Sequence, residues 1–184
     1  INQSIRVIAD HLADRPDLPW LTWVALGACH APHQAPIDLI KGYDEMFGHG
    51  WDIERDQRMA KQKAMGLVPQ ETRLPNRNDG VKAWEEHPID ERRVFTRLQS
   101  AFAGMLDHAD QHLARLVAFL DKAGVRDNTL VIVMSDNGAS QEGGPLGFIN
   151  AMGPFNFRPE PMTEKVRRID DIGGPDTHTN FPHG

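Results

Sequence analysis

Apolar positions recur along this chain with two different periods, and the alternation between them outlines an architecture. In residues 2–13, Ile5, Ile8, Ala9 and Leu12 fall at helical spacing, and Pro16 and Pro19 end the pattern, which predicts a short amphipathic helix. Residues 20–26 are a continuous apolar run rich in aromatic and β-favouring side chains, bounded by Pro19 and Gly27, and read as a buried strand. Residues 37–89 are weakly patterned and polar, an expected surface excursion with one helix from about 51 to 65 that Gly66 and Pro69 would stop. A much stronger helix is predicted from about 90 to 123. Val94, Leu98, Phe102, Met105, Ala109, Leu113, Leu116 and Leu120 form one stripe along it, and Gly124 marks its end. Residues 130–134, Leu-Val-Ile-Val-Met, then give the clearest buried strand.

A long helix between two apolar strands predicts a right-handed βαβ crossover in a parallel sheet covered on both faces, so the expected class is α/β. Ligand crevices in such sheets lie at the carboxyl ends of the strands. Both predicted strands end in polar clusters there, 30–34 after the first and Asp136-Asn137 after the second. Beyond them the polymer changes character: 14 of the last 47 residues are Gly or Pro, against 15 of the first 137. Residues 138–184 are therefore expected to form a long, poorly ordered segment.

Composition excludes several classes. Twenty-six acidic and 20 basic side chains leave a net charge of −6, with no basic patch to hold polyphosphate, so nucleic acid is not an expected partner. No run approaches the roughly 18 apolar residues a membrane span requires. The first residues show no basic head with an apolar signal stretch, and no initiator Met is present. An upstream address is expected to be missing, which leaves a soluble protein in the cytoplasm or periplasm. The single cysteine, Cys29, excludes an internal disulfide framework and reads as packing rather than as an activated thiolate.

The candidate chemistry sits in few residues. Asp136 and Asn137 offer one anionic and one neutral oxygen from adjacent positions, a donor set for Ca²⁺ or Mg²⁺, although Asp-Asn-Gly is equally a tight-turn signal. His30 lies in a loop restricted by Pro32 and Pro36; it suits a proton-transfer group held in one place, or a loop-packing histidine. His33 invites pairing with His30 as a metal site, but an i, i+3 pair in such a loop has no set geometry. His108 and His112 are at i, i+4 on the long helix, as metal-binding pairs are. Ala109 stands where a zinc hydrolase would carry Glu, and the surrounding Asp107, Asp110 and Arg115 favour a polar helix flank.

Taken together, Cys29-His30-Ala31-Pro32-His33-Gln34-Ala35-Pro36 and Ser135-Asp136-Asn137-Gly138-Ala139-Ser140, followed by Glu142-Gly143-Gly144-Pro145, resemble the type I sulfatases, most closely bacterial arylsulfatases of the alkaline-phosphatase-like superfamily. The resemblance implies a mostly parallel central sheet flanked by helices, and a small-molecule sulfate ester as substrate. It implies that His30, not His33, contacts the ester and helps protonate the leaving group, and that Asp136 and Asn137 are two ligands of a divalent cation, usually Ca²⁺. The formylglycine nucleophile expected in an intact enzyme arises in a Cys/Ser-x-Pro-x-Arg motif, which the frame around Cys29 does not match. The whole chain, 1–184, is accordingly expected to be a central fragment of the catalytic domain with an incomplete cation site, inactive alone. Two alternatives accompany it: a non-catalytic truncated or degenerate product, and a phosphomonoester or phosphonate hydrolase on the same scaffold. The oligomeric state is not legible.

Overall fold

The computed structural model describes residues 1–183 as helices and irregular segments assembled around one long helix. In chain order these are α1 (Asn2–Asp14), α2 (Ile37–Gly42), α3 (Asp44–Phe47), α4 (Trp51–Ala64), α5 (Ile89–Lys122), α6 (Met152–Phe155) and α7 (Met162–Arg167). Short 3₁₀ turns lie at Trp84–Glu86, Arg126–Asn128 and Ile169–Asp171. The three helices predicted from apolar spacing are present as α1, α4 and α5, with ends within two residues of expectation.

Helix α5 spans 34 residues, about 50 Å at ~1.5 Å per residue. Pro88 precedes it, Asp90 and Glu91 occupy its first turn and Lys122 its last, in the sense the helix dipole favours. It stops at Gly124, whose φ of 71° admits the left-handed cap. The Val125 N–H donates to the Leu120 carbonyl (3.1 Å) and the Gly124 N–H to Asp121 (3.0 Å), which satisfies two otherwise orphaned acceptors.

The core gathers on the first half of α5. Val94, Leu98 and Ala101 pack with Ile40 of α2 and with Ile149 and Ile172 from the C-terminal segment, all of them excluded from solvent. Helices α2 and α5 approach so closely at Gly104 that a Cβ there would lie 3.1 Å from the Ile40 nitrogen. Arg97 ties three segments together: its guanidinium donates two-pronged to Asp44 of α3 (3.1 and 2.7 Å) and reaches the Ile169 carbonyl (3.4 Å). Trp84, Trp51 of α4, His87 and Phe95 of α5 stack edge-on in that order at 4.9–5.1 Å between successive centroids and hold the 37–89 stretch against the same helix.

The two predicted strands are corrected by the structure. Among the described residues there is no β-ladder, only isolated bridges from Phe148 to Asn180 and from Asn150 to His178. Residues 20–26 and 130–134 are irregular and largely exposed, with Leu21 at 93% and Leu130 at 86%. A strand exists only through a neighbour's backbone groups, and neither run finds one here. The parallel sheet of the expected α/β class is therefore not seen among these residues.

The Gly/Pro-rich tail differs from expectation in the opposite sense. Ile149, Ala151, Lys165, Ile172, Thr179 and Asn180 are buried. Lys165 of α7 donates to the Leu146 (2.9 Å) and Gly147 (2.6 Å) carbonyls, and Glu160 accepts the Ile149 and Asn150 N–H groups. Gly173 (φ 79°) allows the tail to touch the core, since a Cβ there would stand 2.4 Å from Ile40 Cδ1. Apart from α6, α7 and the 3₁₀ turn at Ile169–Asp171, the segment is irregular, and side chains and local turns satisfy much of its backbone.

Leu98→Ala is expected to lower unfolding stability by about 2–5 kcal/mol, whereas Leu106→Ala, half exposed on the same helix, should stay within about 0.5 kcal/mol; urea unfolding monitored by helical circular dichroism checks both.

Candidate functional site

His30 sits in a turn closed by its own N–H to the Gly27 carbonyl (2.9 Å), with its ring exposed. Its Nδ1 lies 2.6 Å from the Ala31 carbonyl. A carbonyl only accepts, so Nδ1 carries the proton and donates, which leaves Nε2 as the outward, reactive nitrogen. Cys29 beside it is exposed, contrary to its reading as a packing residue, and it forms no disulfide.

Immediately downstream the loop is strapped to the tail. The His33 N–H donates to Thr179 (2.9 Å), Gln34 Nε2 to Thr177 (2.7 Å) and Pro175 (3.2 Å), and the Ala35 N–H to Gly173 (3.2 Å). The Thr177 hydroxyl donates to Gly174 (2.7 Å), so the Thr179 hydroxyl must donate to Thr177 (3.0 Å) while accepting from the Gly173 N–H (3.0 Å).

His33 is a core residue. Its ring is 2% exposed, stacks parallel on Phe181 at 5.2 Å and meets the edge of Phe102 of α5 at 5.2 Å. Its Nδ1 has no hydrogen-bond partner among the described residues. Burial pushes its pKa from the ordinary 6.5 down to about 4; the Cys29 backbone opposes the shift, and the neighbouring His30 and His178 reinforce it. The ring is neutral near pH 7 and serves as an aromatic wedge under the His30 loop. Apolar periodicity could not have found it, because a histidine between two prolines carries no periodic signal.

Asp136 and Asn137 are exposed. The Ser135 hydroxyl donates to the Asn137 carbonyl (2.7 Å), and Asn137 Nδ2 donates to Gly138 (2.7 Å), an amide orientation that leaves Oδ1 available. The Asp136 carboxylate has neither a hydrogen bond nor an ion pair among the described residues. Together they present hard oxygen donors, the chemistry a Ca²⁺ or Mg²⁺ ion takes, but two donors are short of the ~6–8 that Ca²⁺ requires. No hydrogen bond joins the His30 loop to residues 135–137, and no group of three or more His, Cys, Asp or Glu side chains converges on a metal position among the described residues. The three predicted site residues thus stand on two separate exposed loops, His30 on one and Asp136 with Asn137 on the other. Those loops terminate the two apolar runs that lack ladder partners, so nothing here sets the distance between them.

Against this geometry, the family model named Sulfatase matches residues 2–166. An uncharacterized sulfatase of Schizosaccharomyces pombe is 34% identical over 141 residues, 75% of this chain and 25% of the relative. An arylsulfatase of Klebsiella aerogenes is 30% identical over 122 residues, 66% of this chain and 26% of the relative. The chain belongs to the sulfatase family, and the fold that membership implies is alkaline-phosphatase-like α/β. It spans about a quarter of the length of the curated relatives it matches. No helix among the described residues is long and apolar enough to cross a membrane.

Below its ordinary pKa the unfolded chain protonates His33, while the folded ring stays neutral to about pH 4. Stability from this group is therefore complete above about pH 6.5 and is withdrawn as pH falls to about 4, by up to about 3 kcal/mol. His33→Phe is expected to flatten the stability profile through that window, measured by urea unfolding between pH 4 and about pH 7.

Proposed function

We propose that this chain is a central part of a sulfate ester hydrolase acting on aryl sulfates, to which it contributes His30, Asp136 and Asn137. The observation that carries the reading is the pairing of the His30-Ala31-Pro32 loop with the Ser135-Asp136-Asn137-Gly138 loop inside the stretch matched by the family model. In the whole enzyme, residues 20–26 and 130–134 become strands of a parallel sheet, and pairing there carries the two loops to one crevice. Residues 37–89 form a surface excursion and 138–184 the rim of that crevice, of which Gly184 lies outside the described residues.

Asp136 and Asn137 hold a hard divalent cation, with Ca²⁺ the favoured ion, completed by oxygens from elsewhere. Such a cation supplies positive charge beside the sulfate oxygens. Asp136 is suited to this because no cationic side chain pairs with it among the described residues, and Asn137 because its amide is turned with Oδ1 outward. His30 hands a proton to the departing aryl oxygen. With its Nδ1–H committed to the Ala31 carbonyl, a second proton on Nε2 makes the ring an imidazolium, so His30 acts as an acid from its charged form. The strap from His33 to Ala35 holds the loop on the tail while this happens. The residues around Cys29 do not fit the motif that yields formylglycine, and no step is assigned to that group here.

The 184-residue chain alone is expected to release no 4-nitrophenol from 4-nitrophenyl sulfate. In the whole enzyme, His30→Ala should lower kcat for phenyl sulfate by about 10²–10⁴-fold and for 4-nitrophenyl sulfate by much less, because a good leaving group needs little protonation. Equal losses on both esters would remove His30 from the acid role, and faster turnover of the matching phosphate ester would reassign the substrate.

A further inference from the structure

On α5, well away from the Asp136-Asn137 loop in sequence, the imidazoles of His108 and His112 face each other with Nε2 to Nε2 at 3.1 Å and their planes crossed at 80°. Both side chains are half-buried and reachable from solvent. An ion held at the ~2.0–2.1 Å of a metal–imidazole bond to two nitrogens 3.1 Å apart would subtend about 100° between them, between the octahedral and tetrahedral angles. The geometry points to a two-imidazole site for a borderline transition metal, Cu²⁺ before Ni²⁺ or Zn²⁺, on the outer flank of α5, with water completing the coordination.

The protons around the pair show how the site would work. Arg115 Nη1 lies 2.7 Å from His112 Nδ1, and a guanidinium can only donate, so His112 Nδ1 is the acceptor and its proton sits on Nε2. That Nε2–H donates to His108 Nε2, which places the His108 proton on Nδ1. His108 is thus already in the tautomer that ligates through Nε2. His112 is in the opposite one. Ligation requires its proton to move from Nε2 to Nδ1, and a protonated Nδ1 can no longer accept from Arg115. No proton is gained or lost in the exchange; what is lost is the Arg115–His112 hydrogen bond and the hydrogen bond between the two imidazoles. The other Arg115 nitrogen donates to Asn2 Oδ1 of α1 (2.7 Å), so the residue that metal would displace from His112 is also one that ties α1 to α5.

Arg115 is therefore an antagonist of the site through its charge and through the tautomer it stabilises. This separates a built chelate from adventitious binding to any of the chain's nine histidines. Cu²⁺ titrated into the full chain near neutral pH, followed by calorimetry and by the nitrogen hyperfine pattern in electron paramagnetic resonance, tests it. One site with two-nitrogen coordination is expected. His108→Asn or His112→Asn should each weaken it by more than the ~10–100-fold that loss of an outer-shell partner alone costs, and Arg115→Gln should tighten it severalfold. Millimolar Ca²⁺ should not compete, since imidazole is a poor ligand for a hard ion. Unchanged affinity in both histidine variants, with helical circular dichroism unaltered, would overturn the proposal. So would an Arg115→Gln variant that binds more weakly.

Discussion

Every helix that packs in this protein packs on α5, and burial of that helix's first half is the contact on which the rest of the structure depends. Val94, Leu98 and Ala101 are excluded from water by side chains from α2 and from the C-terminal segment, not by one continuous partner. Two stretches remote in sequence therefore meet at one face of α5, α2 contributing Ile40 and the C-terminal segment Ile149 and Ile172. Gly104 and Gly173 permit the approach from either side, because a methyl group at either position would occupy space that Ile40 now fills. Polar ties follow the same plan. Arg97 points from α5 to Asp44 and to the Ile169 carbonyl, so an ion pair and a hydrogen bond reinforce the two apolar contacts already made there.

The candidate site inherits its order from this core on one side only. The His30 loop is fastened by His33, which sits under it as a neutral aromatic between Phe102 and Phe181, and by the backbone bonds to residues 173–179. Placing an imidazole there costs proton affinity, and the same burial that lowers its pKa gives the ring its packing role. The Asp136-Asn137 loop has no comparable anchor. Its internal bonds orient the amide, and among the described residues they lie within 135–138.

Legibility of the fold and the site divided according to the range of the forces involved. Helices α1, α4 and α5 were readable because a helix satisfies its backbone within itself, and because Gly66 and Gly124 end α4 and α5 with local cap chemistry. The apolar runs 20–26 and 130–134 were equally clear as strand-forming sequence, yet they form no ladder here, since strand hydrogen bonds belong to a pair of segments and not to one. His30, Asp136 and Asn137 were legible as chemistry from residue type and motif. The burial of His33 and Lys165 was not. Both depend on what the tail does, and a segment rich in Gly and Pro carries no period from which docking could be read.

By itself, the sequence determined the long amphipathic helix, the two motif loops and the family to which they belong, because each is written in neighbouring residues. Only the tertiary structure decided that the tail lies against α5 and straps the His30 loop, that His33 is a core wedge while Cys29 is exposed, and that His108 and His112 turn their Nε2 atoms toward each other. Those outcomes rest on which distant side chains compete for the same buried volume or the same hydrogen bond. A linear spacing rule carries no term for that competition.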